Sequence, residues 1–83
     1  SKANKNQFDI TEKLSKISNI LIFHGEADTV VPVSHAHEIF KRVGEPKRLI
    51  IQKCGDHRMS NINHQESFIH EASLWFKSRL IDY

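Results

Sequence analysis

The sequence predicts an α/β fold with a parallel sheet, in the order α-β-α-β-α. The run Ile20–Phe23 lacks the apolar–polar alternation of a half-exposed strand, which suits a strand covered on both faces, and Arg48–Ile51 reads as a second strand. A stretch of helical period separates them, and strand, helix and strand at this spacing make one right-handed βαβ unit. Further helical stripes precede and follow that unit.

Taken in order, residues 1–9 open with SKANKNQ and read as a flexible lead-in. Asp9 and Glu12 form a capping pair for a helix over Ile10–Ile17, whose apolar face is Ile10, Leu14 and Ile17. Asn19 and Gly25 bound the first strand. Pro32 fits the first turn of the next helix, with the stripe Val33, Ala36, Phe40 and Val43 and with Gly44 as its C-terminal cap. After the Glu45-Pro46 turn comes the strand Arg48–Ile51. A loop from Cys54 to about His64 leads to a helix over Gln65–Leu80, with Phe68, Ala72, Trp75/Phe76 and Leu80 on its core face. There are no internal repeats.

Composition narrows the class. At 83 residues the chain is roughly half a typical domain. With 39% hydrophobic and 27% charged residues and only 3 Gly and 2 Pro, collagen-like and disordered classes are excluded. No apolar run approaches the roughly 20 residues of a membrane span. The net charge of +2 is scattered, so neither nucleic acid nor a membrane surface is an expected partner. The single cysteine, Cys54, has no internal partner, which suits a reducing compartment and a cytoplasmic location. Two parallel strands would leave open edges that invite pairing. The chain, which begins at Ser1, therefore reads as a piece of a larger sheet, residues 1–83 forming the C-terminal portion of one domain.

In open parallel sheets functional groups gather at the carboxyl ends of the strands. Here those ends carry His24-Gly25-Glu26-Ala27-Asp28-Thr29-Val30-Val31-Pro32 and Cys54-Gly55-Asp56-His57-Arg58. Asp28 and His57 thus leave adjacent strands on the same side. A carboxylate that accepts an imidazole Nδ1–H fixes the tautomer and stabilises the imidazolium formed in catalysis. The pattern His-Gly-x-x-Asp-x-x-Val-Pro, followed one helix and strand later by Gly-Asp-His, resembles the C-terminal part of an α/β-hydrolase. It is most similar to the esterase, dienelactone hydrolase and serine peptidase branches of that superfamily. The resemblance spans about Ile20 to Leu80 and implies that Asp28 is the triad acid and His57 the general base. One departure stands out. The family's nucleophile lies upstream in Gly-x-Ser-x-Gly, and Gly25, Gly44 and Gly55 form no such elbow. The oxyanion-hole segments are also upstream in the family, so catalysis by these residues alone is not expected.

Simpler roles compete at each position. Asp28 could cap the loop or the helix near Pro32, and His57 could be an exposed loop histidine. Asp56 adjoins His57, but neighbouring side chains of an extended segment point apart, so Asp56 is expected to face solvent or bond loop amides. His24, at a strand end, suits a structural hydrogen bond. His35 and His37 lie about 200° apart on a helix, and His64 and His70 miss the i, i+4 spacing, so solvent-exposed histidines and no metal site are expected. Cys54 reads as a buried small residue at a strand end rather than a nucleophile. Trp75, Phe76 and Phe68 read as helix core.

The sequence thus predicts the C-terminal fragment of a serine hydrolase acting on ester, thioester or peptide bonds. It would supply Asp28 and His57, and need no cofactor. Its partners would be a small-molecule ester or peptide substrate and the missing N-terminal part of the same domain. The fragment alone would tend to self-associate. The alternative is a non-enzymatic binding module built on the same βαβ unit; a histidine metal site is a weaker rival.

Overall fold

A computed structural model describes residues 12–80. Residues 12–15 are helical. Strand β1 (Ile20–Gly25) is followed by helix α1 (Val33–Arg42), strand β2 (Lys47–Gln52) and helix α2 (Ile62–Leu80). The strands pair in parallel, in register from Ile20 opposite Lys47 to Gly25 opposite Gln52. α1 packs against both strands and α2 against β1. The α/β class and its element order are therefore as expected. The predicted lead-in and the Asp9 cap lie outside the described residues. Among the described residues no helix is long and apolar enough to cross a membrane.

Local chemistry explains the boundaries. Asn19 takes a left-handed turn (φ 58), which its side chain tolerates, and aims the chain into β1. The Ile20 N–H then donates to the Pro46 carbonyl at 3.1 Å, just ahead of the ladder. Pro32 precedes α1 with its fixed φ of −57, and Lys41 and Arg42 place positive charge at the carbonyl end of that helix. Asn61 starts α2: its Oδ1 accepts the Asn63 N–H at 2.8 Å and its carbonyl the Gln65 N–H at 3.1 Å. That cap begins the helix three residues before the predicted Gln65.

Three expectations, one about a helix end and two about buried faces, are corrected. Gly44 is not a left-handed cap. Val43 leaves α1 in an extended conformation, and the Gly44 N–H crosses to the Ile17 carbonyl at 2.7 Å. The predicted core face of α2 is largely open: Phe68, Phe76 and Leu80 are 41%, 65% and 66% exposed. Ile20–Phe23 are each half-buried rather than covered on both faces. The cause is the same for the helix face and for the strand. A two-stranded sheet has too little surface to cover a helix this long, and β1 is paired along one edge only.

The core is accordingly small, with Ala36, Val43 and the Gln52 side chain as its buried members beside Gly25 and Gly55. α2 is held to the sheet at a few points. The Phe23 and Phe68 rings meet edge to face at 4.8 Å, and the buried Gln52 amide donates to the His64 carbonyl at 2.8 Å. Arg48 pairs with Glu71 at 2.8 Å, but its side chain is half exposed, so this ion pair contributes at most about 1 kcal/mol. Burial of the rings matters more, at about 25 cal/mol per Å² of apolar surface removed from water. With so little enclosed, the isolated chain should unfold in urea with a free energy below about 5 kcal/mol, or self-associate in sedimentation. A monomer with a cooperative transition above that value would show that two strands suffice.

Candidate functional site

The two loops at the carboxyl end of the sheet are joined by their peptide groups. The Glu26 N–H donates to the Gln52 carbonyl and the Ala27 N–H to the Gly55 carbonyl, both at 2.9 Å. The Gly55 N–H turns back to the Gln52 carbonyl, also at 2.9 Å, and the Glu26 carboxylate accepts the Cys54 N–H at 3.1 Å. Such close joining requires glycine at both crossing points. A Cβ on Gly25 would collide with the Gly55 carbonyl, and one on Gly55 would lie 2.9 Å from the Gln52 oxygen and 3.2 Å from the Gly25 Cα. Cys54, predicted to be a buried residue at a strand end, is exposed. β2 ends two residues earlier, and Cys54 occupies a left-handed turn (φ 59) beyond it.

This arrangement brings Asp28 and His57 together across 29 residues of sequence. Asp28 Oδ2 lies 2.9 Å from His57 Nδ1. Asp28 Oδ1 accepts the N–H groups of Val30 and Val31, each at 2.8 Å. Burial pushes the Asp28 pKa up, but the Val31 N–H, the His57 ring and the Val30 N–H together outweigh it and hold the group at about 2, below the ordinary 3.8. An ionised carboxylate only accepts, so His57 Nδ1 carries the shared hydrogen and Nε2 is left for chemistry. The Asp28 side chain is 4% exposed and that of His57 47%. The pair therefore has a buried anionic end and an open basic end. It borders a cavity of about 190 Å³ lined also by Phe23, His24, Val31 and Met59.

Asp56 does not compete for His57. Its carboxylate accepts the Ser60 N–H at 2.7 Å and the Ser60 hydroxyl, and these bonds hold its pKa below the usual carboxylate value. It bonds a loop amide, as expected. His24 Nε2 meets the Val31 carbonyl at 2.8 Å, the predicted structural hydrogen bond. Nε2 also lies 3.3 Å from Asp28 Oδ2, a proximity that no sequence spacing signals, because His24 is in a strand and Asp28 in the loop beyond it. His35, His37 and His70 are exposed. His64 is not: it is half-buried, and its Nδ1 is enclosed without a hydrogen-bond partner. The early start of α2 puts His64 in the first turn, against Gln52. Among the described residues no group of three His, Cys, Asp or Glu side chains is placed to hold a metal ion. Met59, in a left-handed turn (φ 52), joins the cavity wall without any signal in the sequence pattern.

No family model matches the chain, and no solved structure matches it. Over 38 residues, 46% of this chain, it is 42% identical to the uncharacterized protein YfhR of Escherichia coli K12, and equally so to YfhR of Escherichia coli O157:H7. The match spans 13% of the length of each of these relatives.

Two outcomes follow from the geometry. Because the Asp28 pKa is lowered on folding, its stabilising contribution is complete above the unfolded value of 3.8 and is lost as the pH falls toward about 2. Asp28→Asn should therefore be less stable than the parent chain at neutral pH. In urea unfolding across a pH series, the gap should close between about pH 4 and pH 2. Gly25→Ala should force the loops apart, lowering stability by about 1–3 kcal/mol and weakening the His57 Nδ1–H resonance in proton NMR.

Proposed function

We propose that this chain supplies the acid and the base of a serine hydrolase of the α/β-hydrolase type, as the C-terminal part of its domain. The observation that supports this best is the 2.9 Å contact between the buried Asp28 carboxylate and His57 Nδ1 at the carboxyl ends of two parallel strands. The Gly25-x-x-Asp28 and Gly55-Asp56-His57 motifs add to it. A serine from the preceding part of the same domain would attack an ester, thioester or peptide carbonyl carbon. His57 Nε2 would take the serine proton during attack and return it to the leaving group; water would then release the acyl group by the same route reversed. Asp28 stays ionised, holding the ring in its Nδ1–H tautomer and stabilising the imidazolium. The lone Cys54 suits a reducing compartment, and the cytoplasm is the proposed location.

One observation favours binding instead. An apolar groove of about 300 Å³, lined by residues that include Leu21, Phe23, Phe68, Trp75 and Phe76, runs beside the unpaired edge of β1. In the hydrolase reading, that edge and groove receive a strand and a helix from the preceding part of the same domain. In the binding reading they receive a partner.

The reading frame upstream of Ser1 distinguishes the two. A Gly-x-Ser-x-Gly about 60–130 residues earlier is expected for the hydrolase, in the chain order Ser, Asp, His. In the longer protein, His57→Ala and Asp28→Asn should each lower kcat by about ten-thousand-fold or more on its best p-nitrophenyl ester. The 83-residue chain should hydrolyse p-nitrophenyl acetate no faster than its imidazoles do. Full activity in His57→Ala, or turnover by the short chain that Ser60→Ala abolishes, would overturn the proposal.

A further inference from the structure

The β1–α1 loop is tied down in two halves. Its first half is held by the Glu26, Ala27 and Asp28 N–H groups, which reach the Gln52, Gly55 and Gly25 carbonyls. Its second half is tied at its end by the Pro32 carbonyl, which accepts the His35 N–H at 3.0 Å, and before that by two side chains: Asp28 Oδ1 accepts from Val30 and Val31, and His24 Nε2 lies 2.8 Å from the Val31 carbonyl. A carbonyl oxygen cannot donate, so His24 Nε2 carries a hydrogen. Asp28 Oδ2 lies 3.3 Å from the same nitrogen, a close approach without the geometry of a hydrogen bond, so the Val31 carbonyl is the acceptor. Val31 is thereby fixed at both its peptide groups, one on the carboxylate and one on the strand. His24 itself is anchored: it is opposite Ile51 in the ladder, and its side chain is 13% exposed.

We propose that His24 is a positioning residue for Asp28. Its Nε2–H holds the Val31 carbonyl, and so holds the 28–31 turn whose N–H groups aim the Asp28 carboxylate at His57. This role rests on reading Asp28 and His57 as an acid–base pair. It goes beyond that reading by assigning a third side chain, one that touches neither substrate nor His57.

Nitrogen-15 and proton NMR of the full chain tests this, reading the tautomers of His24 and His57 through long-range ring correlations. Wild type should show His24 in the Nε2–H form and His57 with a hydrogen-bonded, downfield Nδ1–H. An Nδ1–H tautomer at His24 overturns the proposal without any substitution. His24→Phe, which keeps a ring and removes the donor, should abolish the His57 Nδ1–H resonance while the amide signals of β1 and β2 persist. His24→Gln, whose amide nitrogen reaches about as far as Nε2, should restore it. A resonance that survives His24→Phe, or that His24→Gln fails to restore, overturns the positioning role and leaves the pair standing. A resonance unchanged in Asp28→Asn overturns the pair itself and the positioning role with it. Should His24→Phe fail to fold, the wild-type tautomer and His24→Gln decide the matter.

Discussion

Gly25 and Gly55 touch where no side chain would fit, and the arrangement of this chain's chemistry follows from that contact. Parallel pairing alone would place two loops side by side with strands about 4.8 Å apart. It would not bring their peptide groups within hydrogen-bonding distance beyond the last ladder residues. Bare backbone at both crossing points lets the Gln52 and Gly55 carbonyls accept N–H groups from the opposite loop or its own turn. Only then do two side chains 29 residues apart meet at 2.9 Å. Glycine carries an entropic cost in the unfolded chain, yet a methyl group here would meet backbone rather than a yielding side chain.

The electrostatics of the pair are set by a contest that hydrogen bonds win. Enclosing a carboxylate disfavours its charge, and for Asp28 this is the largest single influence. Two backbone N–H groups on one oxygen and an imidazole on the other reverse it. The outcome is an anion with nearly all its accepting capacity committed, unable to drift toward solvent. Asp56, one residue from His57, shows the contrast. Its carboxylate is just as well bonded, but to Ser60, and so it closes its own loop instead of serving the imidazole.

Features that depend on neighbouring residues were legible in the sequence; features that depend on distant surface were not. The two strands announced themselves through the short apolar runs Ile20–Phe23 and Leu49–Ile51, and Asp28 and His57 as polar residues a few positions beyond each strand end. The open faces of Phe76 and Leu80 could not be read, since periodicity reports which side of a helix is apolar and says nothing of what lies opposite it. Small shifts also had large effects. The Asn61 cap started α2 early enough to turn His64 inward, and the end of β2 at Gln52 left Cys54 outside. Glycine misled in a specific way. Among the described residues the left-handed positions are Asn19, Cys54 and Met59, while all three glycines have ordinary φ, so glycine serves here for space rather than for backbone freedom.

The joining of the loops by peptide groups has a consequence for how such a site can drift over generations. Every residue except proline offers the same N–H and carbonyl, so the peptide-to-peptide part of the scaffold tolerates nearly any spelling at Ala27 and Lys53. Its identity is written in a handful of letters: two glycines, one aspartate and two histidines. Two chains could keep this geometry while sharing almost nothing else, and their common ancestry would then be visible only as a few islands in otherwise unrelated text.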